Sequence, residues 1–488
     1  MEDGLERLVT AAARRPRAFL SAAAACSFLL LASIAAFIFQ KFPNSADEYN
    51  YVFFADTLRA GRLWNPVPPL SDFFFHWHII IRDGKWMSRF PPGWPCLLAA
   101  ADILKIPGWL LNPILGVLLL VTVYFLARRE HGEKTAVAAV MVCAVSPFFL
   151  FNSASFFSHS FCALLVALFW LACSRLKEKD SAGLALAAGG VIGAAFVTRY
   201  YTALLCAIPP AVLLLRAKRA RGVVDLLWIG LGAAPFVAAL LAYNKVITGD
   251  ALHMVTTWYD PTEKLGFQAD YGPLTAMIDA GHYAKEFVLW TPVTLAPLFA
   301  AGLFRAFRRG RLTEIDLAFP VLGLGYMLWS KDAGNRYGPR FHYEAYPLLI
   351  VSVCSWLFDA NRAVLDSREK RHARIALTLG LAACLPAAVV WGRYEYRVVY
   401  ERREVYRLAA ERGLANAVIF ITSSSGGLLP MPPGDLTRNG ITADGSVLFV
   451  ADLGARNREL KAAYPGRTFY TYYHRPGAEQ GSLSERRF

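Results

Sequence analysis

Two neighbouring carboxylates, Asp47 and Glu48, follow the first long apolar run of this chain in Asn44-Ser45-Ala46-Asp47-Glu48-Tyr49-Asn50-Tyr51. A carboxylate kept where an apolar helix meets water is a place for a general base, because it can take a proton from a reacting hydroxyl. The plainer role is capping of the next helix, for which Asp is well suited. Downstream, Ser88-Arg89-Phe90-Pro91-Pro92-Gly93 adds a cation within the same polar stretch.

The elements that must hold these groups are apolar. Hydrophobic residues make up 56% of the chain and charged residues 18%, which excludes a water-soluble globule. The net charge of +14 comes from Lys and Arg in short clusters between apolar runs, a pattern of membrane orientation rather than nucleic-acid binding. The eight cysteines lie in or beside apolar segments without paired metal spacing, and they are read as packing residues. The run at 18–39 is too long for a signal-peptide core and is taken as a retained membrane helix.

Further runs long enough to span fall near 107–127, 133–151, 157–174, 182–198, 200–216, 223–246, 284–304, 315–330, 341–358 and 374–391, giving about eleven spans. A short stretch at 91–105, opened by Pro91-Pro92-Gly93, either crosses as well or lies at the interface. If it does not cross, Arg128-Arg129, Arg175–Lys179, Arg216–Arg221, Arg305–Arg311 and Arg368–Arg374 all share the side of the basic N-terminus. That satisfies the positive-inside rule. The expected architecture is an α-helical polytopic membrane domain over 1–391 with a cytoplasmic N-terminus, an outer loop at 41–106 and a small α/β domain over 392–488 outside. Strand-like runs at Val418–Ile421, Val447–Val450 and Thr468–Tyr472, separated by turns such as Ser423–Gly427 and Pro430–Gly434, support the last assignment. That tail lacks nucleotide-loop and nucleophile signatures and is expected to dock or cover. Gly189-Gly190-Val191-Ile192-Gly193 suggests close helix packing.

Within the outer loop, Tyr49, Tyr51, Phe54, Ala55 and Leu58 recur at near-helical spacing up to Gly61. They predict an amphipathic surface helix with the carboxylates at its start. Phe73-Phe74-Phe75-His76-Trp77-His78 reads as an aromatic belt, and the Pro91 stretch as a second surface helix. In order, Asp47-Glu48-Tyr49, Ala55–Gly61 and Arg89-Phe90-Pro91-Pro92-Gly93-Trp94-Pro95 resemble the polytopic glycosyltransferases that use lipid-phosphate sugars, of the GT-C protein O-mannosyltransferase and aminoarabinose transferase type. The resemblance extends loosely through 20–360. It implies Asp47 as the catalytic base and Arg89 as a partner of the donor phosphate.

Transfer of a sugar from a polyprenyl phosphate needs a carboxylate for the acceptor proton and cations for the departing phosphate. A direct inverting displacement needs no covalent nucleophile. Glu48 could orient the acceptor, contact sugar, bind a metal, or be a solvated neighbour. Arg199-Tyr200 opens a span where a guanidinium could fork onto phosphate or anchor the interface. Arg336, Tyr337, Arg340, His342 and Glu344 concentrate at a helix entrance and are expected to line the donor or acceptor site. Relatives often carry a second carboxylate before the fourth span, where this chain has Ser158-His159-Ser160. His159 could take over an acceptor or phosphate contact, or be an ordinary interfacial hydrogen-bonder.

His76 and His78 would share a face if their segment were extended, yet two ligands make no metal site. No metal ligands are assigned; a divalent cation is compatible with the sequence but not implied by it. Expected partners are a polyprenyl-phosphate-linked sugar, a lipid, glycan or protein acceptor and the bilayer, with no nucleic acid. The competing reading is a transporter or flippase of a lipid-linked sugar, against which stands the lack of repeated halves. Basic cytoplasmic loops and a cysteine-free tail point to a bacterial inner membrane.

Overall fold

The computed structural model describes residues 3–330, 334, 336–422, 433–474 and 480–488. The expected turn at 423–427 and residues 430–432 of that at 430–434 lie outside the described residues, while Pro433 and Gly434 open the short helix Pro433–Leu436. Contacts divide the chain into two units, one comprising Met1–Ile34, Leu110–Ala154 and Ser158–Trp391, the other Ala35–Trp109, Ser155–Phe157 and Gly392–Phe488. The tail and the 41–106 loop thus belong to one folded body.

Six helices among the described residues are long and apolar enough to cross a membrane: Pro16–Ile38, Gly108–His131, His159–Leu176, Tyr200–Lys218, Ala220–Thr248 and Ser367–Glu411. Two more expected spans are bent pairs. Glu133–Val145 and Pro147–Ala154 meet at 66°, and Pro273–Trp290 and Leu295–Arg308 at 116°. Pro147 and Pro292 stand at these breaks, where the missing N–H and the ring prevent an unbroken helix. The runs at 182–198, 315–330 and 341–358 form shorter helices, Ala182–Thr198, Ala318–Tyr326 and Tyr346–Phe358. Helices Ala182–Thr198 and Ala220–Thr248 pack through glycine. A Cβ on Gly189 would fall 2.1 Å from the Ile229 carbonyl, and one on Gly232 the same distance from that of Leu186, so only Gly allows this approach.

In the second unit, the expected loop helix forms at Ala46–Arg59 and the second at Gly93–Ile103. Ser45, rather than Asp47, caps the first: its Oγ accepts from the Glu48 N–H at 3.1 Å, which satisfies an otherwise orphaned amide, and donates to Glu48 Oε2 at 3.1 Å. Between these helices lies a three-stranded sheet. Strand Ile79–Arg82 pairs antiparallel with Lys85–Ser88, which also pairs with Asn65–Pro66. Asp83 and Gly84 form the two-residue turn with φ of 51° and 70°, and such left-handed pairs match strand twist.

The C-terminal sheet has the order Val447–Ala451, Ala417–Ile421, Thr468–Tyr473, Ser482–Glu485, with the first three strands parallel and the last antiparallel. The expected strand runs are all present. Ala417–Ile421 is apolar on both faces because both are covered. Val418 and Phe420 join Phe53, Phe73, Phe74, Trp86 and Leu448 in one core, while Ile419 and Ile421 join Val405, Leu436 and Tyr472 in another. This corrects the aromatic-belt reading. Phe73 and Phe74 are buried against the sheet, and only Phe75 and Trp77 remain exposed.

Candidate active site

The hairpin 79–88 delivers two side chains to one place. His78 stands just before its first strand and Arg89 just after its second, with the Arg89 N–H bonded to the His78 carbonyl at 3.1 Å. His78 Nε2 lies 3.0 Å from Asp47 Oδ1, and Arg89 Nη1 lies 3.4 Å from His78 Nδ1. Arginine can only donate, so the tautomer that suits both contacts carries its proton on Nε2 and donates it to Asp47. Asp47 and His78 are partly exposed, at 16% and 27% of the side-chain surface, whereas Arg89 is buried. A carboxylate with one oxygen fixed by an imidazole and with access to solvent has the geometry of an oriented base. His78 has a φ of 67° and so does not continue an extended segment with His76. The condition under which both histidines would share a face is not met. Among the described residues no three His, Cys, Asp or Glu side chains gather as a metal site.

Glu48 differs from its neighbour. Its side chain is buried, and Oε1 accepts the Phe156 N–H at 2.8 Å while Oε2 holds Ser45. The solvated-neighbour reading is therefore wrong: Glu48 is a buried anchor for the start of the helix. Asn50 on the next turn bonds Ser88 of the hairpin, tying the hairpin to the same helix.

The other eight sequence-expected residues belong to the first unit. Glu344, on the turn Arg340–Ala345, is buried, and its Oε1 lies 3.0 Å from both His159 Nδ1 and Arg199 Nε. Arg199 sits in the break between helices Ala182–Thr198 and Tyr200–Lys218; its guanidinium also reaches the Tyr326 hydroxyl at 3.4 Å and lies 4.6 Å from the Phe341 ring centre. Arg340 stands 5.6 Å from that same ring. Three other expected residues, His159, Arg199 and Arg340, thus converge around Glu344 and Phe341, in surroundings where an unmatched charge would be costly.

Tyr200 instead bonds Thr256 at 2.8 Å. Arg336 lies over the Tyr337 ring at 5.3 Å, and Tyr337 is buried with its carbonyl accepting from Asn152 at 3.0 Å. His342 faces a largely apolar cavity of about 460 Å³, bordered also by Tyr283, Phe287, Phe319, Tyr326 and Met327. His78 and Tyr326 were missed as site residues. Asp83-Gly84 was the available signal for the hairpin that places His78; nothing local signals Tyr326.

Residues 104–243 match the family model described as dolichyl-phosphate-mannose-protein mannosyltransferase. No curated protein gives a significant match. Among solved structures, ArnT from Cupriavidus metallidurans bound to undecaprenyl phosphate superposes with a TM-score of 0.51 at 12% identity, over 94% of this chain and 97% of ArnT. The arabinofuranosyltransferase AftD from Mycobacteria gives 0.49 at 16% identity, over 89% of this chain and 32% of AftD. The oligosaccharyltransferase AglB from Archaeoglobus fulgidus, in complex with an inhibitory peptide and a dolichol-phosphate, gives 0.45 at 15%, over 92% and 69%. The chain is thus similar in sequence over 104–243 to that mannosyltransferase family, and over nearly its whole length it shares the fold of ArnT.

Proposed function

We propose that this protein is an integral-membrane glycosyltransferase that moves a sugar from a polyprenyl-phosphate donor to a lipid, glycan or protein acceptor of the cell envelope. The observation that carries the reading is the Asp47–His78–Arg89 array at the N-terminus of the loop helix. Asp47 takes the acceptor hydroxyl proton as the acceptor oxygen attacks the anomeric carbon. The bond from that carbon to the phosphate oxygen breaks, and the lipid phosphate leaves with the electron pair. One displacement inverts the anomeric centre and uses one base. His78 keeps the carboxylate oriented; Arg89 fixes the imidazole and contributes positive charge for the phosphate.

In this reading Arg199, Arg336 and Arg340 offer further guanidinium groups to donor or acceptor, with Glu344 and His159 holding Arg199. The cavity beside His342 has the apolar wall that an isoprenoid chain needs. Positive-inside charge supports a cytoplasmic N-terminus and an outward-facing first loop, and the cysteine-free tail supports a bacterial inner membrane. The test is mass analysis of envelope lipids and glycans from cells carrying the wild-type chain, Asp47→Asn or no copy. A sugar present only with the wild type supports transfer. An identical envelope in all three would refute it.

A further inference from the structure

Immediately before Asp47, the turn Pro43-Asn44-Ser45 offers backbone carbonyls that arginines of the C-terminal region hold. Arg402 donates from Nη1 to the Asn44 carbonyl at 2.7 Å, and Arg438 from Nη1 to that of Pro43 at 2.5 Å. Both guanidinium groups are gathered by one buried carboxylate. Arg402 places Nε and Nη2 each 2.8 Å from Asp435 Oδ2, while Arg438 Nη2 is 3.3 Å from Oδ1 and its Nε donates to the Asp435 carbonyl at 3.0 Å. A third tie is Asn44 Nδ2 to Glu395 Oε2 at 3.1 Å.

Directly after the acidic pair, Tyr49 donates its hydroxyl proton to the Asn439 carbonyl at 2.5 Å and accepts the Asn439 N–H at 2.9 Å. Asn439 in turn exchanges two hydrogen bonds with the backbone of Phe449, at 2.7 and 2.9 Å, and Phe449 lies in a strand of the C-terminal sheet. Arg438 also covers the rings of Phe42 and Tyr49, at 4.7 and 5.3 Å. The turn and the first helical turn are therefore gripped by residues 395–449 on both sides of Asp47.

We propose that Asp435, Arg402 and Arg438 are positioning residues: a brace through which the C-terminal region fixes the Pro43–Ser45 turn and, through it, the carboxylate of Asp47. This rests on the reading of Asp47 as base and replaces a docking or covering role for the tail with a structural share in the active site. Two arginines forking between one carboxylate and two carbonyls use a planar geometry that a lysine ammonium cannot reproduce. Small displacements of a reacting group lower the rate of the chemical step without a matching loss of binding.

The test uses the full-length protein in lipid nanodiscs with the variants Arg402→Lys and Arg438→Lys, which keep the charge, and Asp47→Asn as reference. Two quantities are read: transfer rate against donor concentration, and amide hydrogen exchange over 46–49. The brace requires a rate at saturating donor lowered about tenfold or more, a donor KM within about twofold, and faster exchange over 46–49 in at least one lysine variant. Wild-type exchange in both variants, or a change confined to KM, overturns it. Should Asp47→Asn retain the full rate, the base assignment fails, while the exchange data still decide whether the brace orders the turn.

Discussion

His78 Nε2 lies 3.0 Å from Asp47 Oδ1, and the residue that orders His78, Arg89, leaves the other end of the same hairpin. Replacing His78 with Phe removes the donor while keeping a planar ring. The transfer rate at saturating substrate is expected to fall about ten- to a hundredfold, less than the roughly 10²–10⁴-fold a general base itself contributes, because His78 orients the base and is not the base. His78→Gln can still present an N–H and is expected to keep more of the rate than Phe. Equal rates for wild type and His78→Phe, measured with purified protein, would remove His78 from the site.

The grip on Glu344 concerns stability as well as chemistry. Glu344→Gln removes a buried carboxylate that faces the Arg199 guanidinium, a change expected to cost about 3–5 kcal/mol. The double variant Arg199→Met with Glu344→Leu removes both charges and is expected to regain much of that stability. If Arg199 serves the donor phosphate, this repaired protein unfolds near the wild-type temperature but transfers poorly. Thermal unfolding and transfer assays on the same preparations separate the two effects.

Acid sensitivity is expected from His76. Burial, aided by the Arg438 charge and only partly opposed by Asp435 and the Trp77 carbonyl, pushes its pKa from 6.5 down to about 3. The unfolded chain then binds a proton that the folded chain refuses between these values, so stability is full above about pH 6.5 and declines as pH falls toward 3. The local slope approaches about 1.4 kcal/mol per pH unit. His76→Asn lacks the titrating group, and its denaturation midpoint is expected to fall less between pH 7 and 4.5 than that of the wild type. Parallel pH curves would contradict this.

The helix that carries Asp47 was legible because its signal is local, apolar residues at helical intervals up to Gly61; its cap was not, since Ser45 and not Asp47 holds the N-cap position. The strands of the tail were legible for the same reason. Two things were not. The hairpin 79–88 announces itself only by Asp83-Gly84 between short apolar runs, a signal overshadowed by the aromatic string before it. The burial of Phe73 and Phe74 depends on Phe420, Leu448 and Phe469, hundreds of residues away, and no periodicity within the loop encodes that contact. Nor did the sequence decide among the roles open to Glu48, because its partner is the amide of Phe156, set by tertiary packing alone. Gly189 and Gly193 were readable as packing residues, but the partner helix was not.

The central claim is that Asp47 removes the acceptor proton, and its most direct test is the single-turnover transfer rate of Asp47→Asn from a radiolabelled polyprenyl-phosphate sugar to envelope acceptor. Asparagine keeps the shape and can still hydrogen-bond His78, but it cannot act as a base. A loss of about 10²–10⁴-fold in rate, with donor binding and hydrodynamic behaviour unchanged, is expected. Transfer at the wild-type rate by well-folded Asp47→Asn would contradict the account.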